Sequence, residues 1–188
     1  MGEAARKHRP ASYADIEALP AHLVGELVAG ELLVSPRPAL RHTRAASRLG
    51  AKLGGPFDLG EGGPGGWQIL DEPELHLAQD IVVPDLAGWR VGRLPEIPDR
   101  PWLDLAPDWA CEVLSPSTVA NDRGIKRQVF AREGVPYLWW IDPLARTLEV
   151  LRLGPQREYV LEAVHINNAV VRAAPFAELE LDLALLWG

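Results

Sequence analysis

The 188-residue sequence predicts an α+β domain, a central mixed β-sheet flanked by helices. Three short apolar runs carry the strand signal: Ile81-Val82-Val83, residues 109–114 and residues 137–142, rich in β-branched and aromatic side chains. Two segments with apolar residues at helical spacing, 37–53 and 121–133, supply the flanking helices. With 47% hydrophobic and 24% charged residues, the chain has apolar material for one substantial core, so one domain over 1–188 is expected and disorder is not.

Taken in order, residues 1–10 are polar and read as a loose tail. Ser12 is placed to cap a short helix over 12–19, with Asp15 completing a capping box. Residues 23–34 read as a hairpin turning at Ala29-Gly30 and carrying two acids, Glu26 and Glu31. Glu31 is the one expected to approach an active centre, with Glu26 in support; the alternative is two surface glutamates. The helix over 37–53 has an apolar face of His42, Ala45, Ala46, Leu49 and Leu53. Arg41, Arg44, Arg48 and Lys52 form a basic stripe on the other side, a candidate phosphate contact or a solvated face. His42, within the apolar face, reads by default as a satisfied core histidine.

Residues 54–66 are glycine-rich but are not a phosphate loop, because no Gly-Lys-Ser/Thr follows and the next segment reads as a strand. Strands are expected over 67–71, 74–78 and 81–84, the last continuing past Asp85 into 86–91. His76 falls on the wet side of its strand and is expected to be exposed. Prolines at 95, 98, 101 and 107 argue for an irregular covering loop. The helix over 121–133 has Ser117, Thr118 or Asn121 as its cap and Gly134 as its stop. Trp139 and Trp140 point to opposite sides of one strand, which must therefore be central to cover both. Strands over 147–153 and 158–166 join at Gly154-Pro155, Val170-Val171 begins a last strand, and 177–187 forms a terminal helix or tail.

Three residues carry the chemistry. Asp85 follows the apolar run at 81–83, so it sits at the end of a buried strand. Glu112 interrupts a second such run, and a carboxylate there costs several kcal/mol unless it is paired or holds a metal. Lys126 lies on the side of its helix with Asp122, Val129, Phe130 and Glu133, which should face the sheet. In a chain with three lysines and sixteen arginines, a core-facing lysine suggests a compact point charge rather than a planar fork. Asp122, one turn earlier, is placed to pair with it.

The ordered blocks Pro84-Asp85, EVLSPST at 112–118, Asp122-Arg123 with Lys126, and GVPYLWWIDP at 134–143 resemble the bacterial family of putative restriction endonucleases within the PD-(D/E)XK nuclease superfamily. The segment GELVAGELLVSPRPALRH at 25–42 is similar to that family's opening. The superfamily pattern would need lysine at Leu114; the family shares this gap and has its lysine in the following helix, so the catalytic role transfers to Lys126. The resemblance implies a restriction-endonuclease-like fold and a DNA endonuclease. It also implies Mg²⁺ or Mn²⁺ held by Asp85, Glu112 and the carbonyl of Val113, and a role for His42 in orienting Glu31 or a phosphate. Hard divalent cations do choose such oxygen donors. A homodimer is the natural route to double-strand cleavage.

Other classes are less favoured. One cysteine, Cys111, and five scattered histidines give no zinc pattern, and no G-x-S-x-G elbow appears. The net charge of −7 does not announce a nucleic-acid binder, although clustered arginines can act locally. No apolar run of membrane-spanning length is present, and the lone cysteine agrees with a cytoplasmic setting. The rival readings are a non-catalytic nucleic-acid- or protein-binding module of the same fold, a phosphodiesterase acting on RNA or a small phosphorylated compound, and a homodimeric module joined through Trp67, Trp89 or Trp102.

Overall fold

The structure is a computed structural model and describes residues 9–188. The predicted tail at 1–10 lies almost wholly outside the described residues.

Helix α1 (Tyr13–Glu17) opens with the predicted capping box between Ser12 and Asp15. Strands β1 (Leu23–Val28) and β2 (Glu31–Pro36) form the hairpin. Its two-residue turn has Ala29 at φ 53° and Gly30 at φ 80°, the left-handed pair that matches the twist of the flanking strands. Asp80, buried, accepts the Ala29 N–H at 2.7 Å and pairs with Arg132 at 2.7 Å. Helix α2 (Leu40–Leu53) buries His42, Ala45, Leu49 and Leu53 along one stripe. It does not stop at Gly54. A π-helical turn (Gly54–Asp58) carries it on and buries Phe57, so the loop begins only at Leu59.

Strands β3 (Trp67–Asp71), β4 (Glu74–Leu77), β5 (Asp80–Val82) and β6 (Leu86–Arg90) follow as antiparallel neighbours in part. The proline-rich stretch is not wholly irregular: β7 (Trp102–Leu103) pairs in parallel with β4. His76 is not exposed as predicted but stacks on Trp102 at 5.0 Å, with Tyr13 at its edge. After β8 (Trp109–Val113) comes one continuous helical segment made of α3 (Val119–Asn121), a π-helical turn (Asp122–Lys126) and α4 (Arg127–Arg132). Gly134, at φ 79°, ends it as a left-handed stop. Strands β9 (Tyr137–Asp142), β10 (Thr147–Leu153), β11 (Tyr159–Ile166), β12 (Val170–Val171) and β13 (Leu181–Asp182) complete the strands, and α5 (Ala184–Trp187) closes the chain.

The strands divide between two mixed sheets. One has the order β2-β1-β5-β4-β7 and the other β11-β10-β9-β8-β6-β3, with β12-β13 as a small ribbon. The larger sheet contains one parallel pair, β8 with β9, because the helical segment between them is a crossover. Side chains alternate across it. Trp109, Cys111, Val113, Trp139 and Ile141 enter a core covered by α2 and the C-terminal segment. Ala110, Leu114, Leu138 and Trp140 enter a second core that includes Val28, Leu75, Val82 and Phe130. Strand β9 is central as predicted, with a tryptophan in each core.

In the first core Phe176 packs against Phe57, Trp67, Trp109 and Trp139 at centroid distances of 4.7 to 5.7 Å. Such pairs contribute about 0.5–1.5 kcal/mol each beyond area burial. Trp67 and Trp89 are buried and cannot form the exposed interface considered above; Trp102 is half-buried against His76. Among the described residues no helix is long and apolar enough to cross a membrane.

Candidate active site

Glu112 belongs to the β8 parity that faces the second core, so it points into the seam between the two sheets. Glu26 enters from β1, and Asp122 and Lys126 enter from the π-helical turn. The wide turn leaves both of these buried on the inner side of the helical segment. They meet at the floor of a cavity of about 360 Å³, whose rim includes Arg37, Pro38, Ser115, Ser117 and Thr118.

Lys126 is the centre of the cluster and is 3% exposed. Its Nζ lies 2.8 Å from Glu112 Oε1, 2.9 Å from Glu26 Oε1 and 3.5 Å from Asp122 Oδ1. The Val83 carbonyl accepts from it at 3.4 Å. The Glu112 contact is an ion pair off the hydrogen-bonding direction, so Glu112 Oε1 has no hydrogen-bond donor among the described residues. Glu26 Oε1 also accepts the Val83 N–H at 2.8 Å, which fixes it against the stretch that leads to Asp85.

Asp85 sits beside this cluster. Its Oδ2 accepts the Val113 N–H at 2.6 Å, and its Oδ1 lies 3.2 Å from His42 Nε2. Val113 therefore touches Asp85 through its amide. Glu72, held at φ 46°, lines the same cavity, and its N–H donates to the Asp85 carbonyl at 3.0 Å.

The electrostatics are set by burial and by a surplus of carboxylates. Burial alone would lower the Lys126 pKa, but Glu112, Glu26 and Asp122 overcome it and hold the ammonium well above the usual lysine value. Burial pushes the Glu112 carboxyl well above the usual carboxylate range; Lys126 opposes this, while Asp122, Asp85 and Glu26 add to it. Within the pair, the lysine keeps its proton and the glutamate holds one more firmly than a surface carboxylate. Burial raises Asp122 too, against Lys126 and a hydrogen bond from Thr118. His42 would be lowered by burial, yet its bond to Asp85 and the charges of Asp85, Asp122 and Glu72 raise it.

The structure brings together Glu26, His42, Asp85, Glu112, Asp122 and Lys126, all named from sequence. It does not bring in Glu31, which is exposed next to the hairpin turn. Glu26 and Glu31 share a hairpin face, since Glu26 pairs with Leu33 and Val28 with Glu31, but only Glu26 lies far enough from the turn to reach the seam. Their expected order is reversed. Glu72 and Val83 were missed, and nothing in the local pattern marks them.

The basic stripe also differs from expectation. Arg44 donates to the Gly188 carbonyl, and Arg48 donates to the carbonyls of Leu185 and Gly188. They satisfy the otherwise unpaired carbonyls at the end of α5, which is what a helix C-terminus requires of nearby cations. Arg41 and Lys52 are exposed.

The donor set fits a hard divalent cation in kind, since it is all carboxylate oxygen with an excess of negative charge. As arranged, these oxygens turn toward Lys126, His42 and backbone N–H groups, and among the described residues no three or more acidic, His or Cys side chains converge as a metal cluster.

A crystal structure of a putative nuclease belonging to DUF820 from Anabaena variabilis ATCC 29413 is similar to this chain, with 23% identity and a TM-score of 0.71 over 95% of this chain and 98% of that one. That likeness supports the restriction-endonuclease-like fold. No curated protein matches. A family model described as "Putative restriction endonuclease" (Uma2) matches residues 12–185, which supports a nuclease. By that match, which covers nearly every described residue, the chain belongs to the Uma2 family.

Proposed function

We propose that the protein is a divalent-metal-dependent endonuclease that hydrolyses DNA phosphodiester bonds at the seam between its sheets. The observation that carries the reading is a buried ammonium, Lys126, set among Glu26, Glu112 and Asp122 at the floor of an open cavity, with Asp85 alongside. Burying one cation with this many anions is expensive, and a core served only by packing would use apolar residues instead.

Asp85, Glu112 and the Val113 carbonyl would hold Mg²⁺ or Mn²⁺, with Glu26 as a further oxygen donor. A bound divalent cation supplies charge neutralisation and an acidified water. The chain's own residues do the rest. Lys126 donates from Nζ to charge developing on the phosphoryl oxygens. Asp122 and Glu26 position that ammonium. His42 Nε2 and the Val113 N–H hold the two oxygens of Asp85 in place. Burial favours a proton on Glu112, which a cation held there would have to compete with, so metal affinity should rise with pH.

Nicking of supercoiled plasmid tests this. Wild-type protein with Mg²⁺ or Mn²⁺ should nick; EDTA, Asp85→Asn and Lys126→Met should each reduce the rate by at least about a hundredfold, with far-ultraviolet circular dichroism showing that the variants fold. Activity unchanged in both folded variants would overturn the reading.

A second reading, a binding module without catalysis, is favoured by one observation: Lys126 itself occupies the middle of the carboxylates. Calorimetry separates the two, because a module of that kind takes up no Mg²⁺ that depends on Asp85 and Glu112.

A further inference from the structure

The larger sheet ends on β11, and that edge is open. Along Tyr159–Ile166 the inner side of the strand pairs with β10, while among the described residues no group hydrogen-bonds its outer backbone. The opposite edge, β3, is guarded, since Asp58 accepts the Ile69 N–H at 3.4 Å. In the smaller sheet β7 has two residues and β2 ends at Pro36, both devices that blunt an edge. β11 has eight residues, no proline and no lysine. One bulge, opposite Val150 and Leu151, leaves Glu162 unpaired at its middle.

The register with β10 sorts the β11 side chains. Tyr159, Leu161, Val164 and Ile166 sit opposite Leu153, Leu151, Glu149 and Thr147, alternate residues of β10, so they share one face. Three of them are apolar and half or more exposed: Leu161 51%, Val164 50% and Ile166 57%. The bulge makes this row symmetric about the point between Glu162 and Ala163. A second β11 laid antiparallel about that point sets Leu161 against Val164 and Tyr159 against Ile166, twice over, with Glu162 facing Ala163. Every apolar member of the row then meets another. Shifting the register by one residue sets Glu162 against Glu162, and like charges directly opposite are unfavourable.

We propose that this edge is a homodimer interface, in which two copies of the chain pair through β11 about a twofold axis between Glu162 and Ala163. The two sheets become one of twelve strands, closing the open edge with main-chain hydrogen bonds. A self-complementary patch is what a twofold interface demands. Seven strand spacings separate the two β8 strands, about 34 Å, so each Glu112 cluster works alone. The pairing does not depend on the nuclease reading.

Sedimentation velocity over about 1–200 µM tests it, a range suited to an interface of this modest size. The expected result is a monomer–dimer equilibrium, weakened by about a hundredfold or more in Leu161→Glu/Val164→Glu, since charges cannot be buried unpaired at the pair. Both positions are exposed in the single chain, so a far-ultraviolet circular dichroism spectrum like that of the wild type shows that the variant folds, while its thermal midpoint should lose any dependence on protein concentration. A second variant, Leu161→Cys/Val164→Cys, should form a covalent dimer on mild oxidation, because directly opposite strand residues lie within disulfide reach. A chain that stays monomeric throughout this range, or a dimer that survives the glutamate variant, would overturn the proposal.

Discussion

Lys126 Nζ and Glu26 Oε1 lie 2.9 Å apart, and that contact ties the helical segment after β8 to the first strand of the other sheet. With Glu112 at 2.8 Å on the same nitrogen, one ammonium joins β8 and the helical segment after it to β1, far upstream in sequence.

Removing the ammonium should cost more than the pair is worth. Lys126→Met leaves the buried Glu112 and Asp122 and the half-buried Glu26 without their cation, and loss of one buried partner typically costs about 3–5 kcal/mol. Lys126→Met/Glu112→Gln removes part of that repulsion and should be more stable than Lys126→Met alone. Urea denaturation checks this; strictly additive losses would mean that the two side chains are not coupled.

The His42–Asp85 pair gives a pH signature. His42 has a folded pKa raised above its unfolded value of about 6.5. Its contribution to stability is therefore complete below pH 6.5 and is lost as pH rises through the raised folded value. Relative to His42→Gln, the wild type should be more stabilised at pH 5.5 than at pH 8.5. Parallel stability curves for the two proteins would contradict this.

Arg48 should matter for the C-terminus. Its donation to the carbonyls of Leu185 and Gly188 predicts that Arg48→Ala costs about 1–3 kcal/mol and raises hydrogen exchange in α5. The salt dependence of DNA binding should keep its slope. A slope reduced by about one would instead restore Arg48 to a phosphate contact.

Gly88 is a packing constraint. A Cβ added there would stand 3.2 Å from Trp67 Cε3 and 3.3 Å from Trp109 Cε3, both fixed in the first core. Gly88→Ala should cost about 1–3 kcal/mol by overpacking, read as a lowered thermal midpoint.

Much of this arrangement is legible in the sequence because local rules coincide with tertiary need. Asp85 and Glu112 stand out as acids against apolar runs, and Lys126 as a lysine at a core-facing helical position. Ala29-Gly30 and Gly134 name their own backbone conformations. What is not legible depends on partners distant in the chain. Choosing Glu26 over Glu31 needs the depth of the hairpin relative to the second sheet. The fate of Arg44 and Arg48 needs the position of a helix end about 140 residues away. The continuation of α2 past Gly54-Gly55 needs Phe57 to find Phe176 in the first core, a tertiary gain that overrides two poor helix formers. His76 needs Trp102, which no alternation within its own strand foretells.

The seam position of Lys126 ties upkeep to use. Because the same nitrogen clasps both sheets, any loosening that parts the layers also scatters the groups to which the proposed function assigns the chemistry. Heat or denaturant should therefore silence such a protein at the moment its halves begin to separate, ahead of any loss of helix or strand.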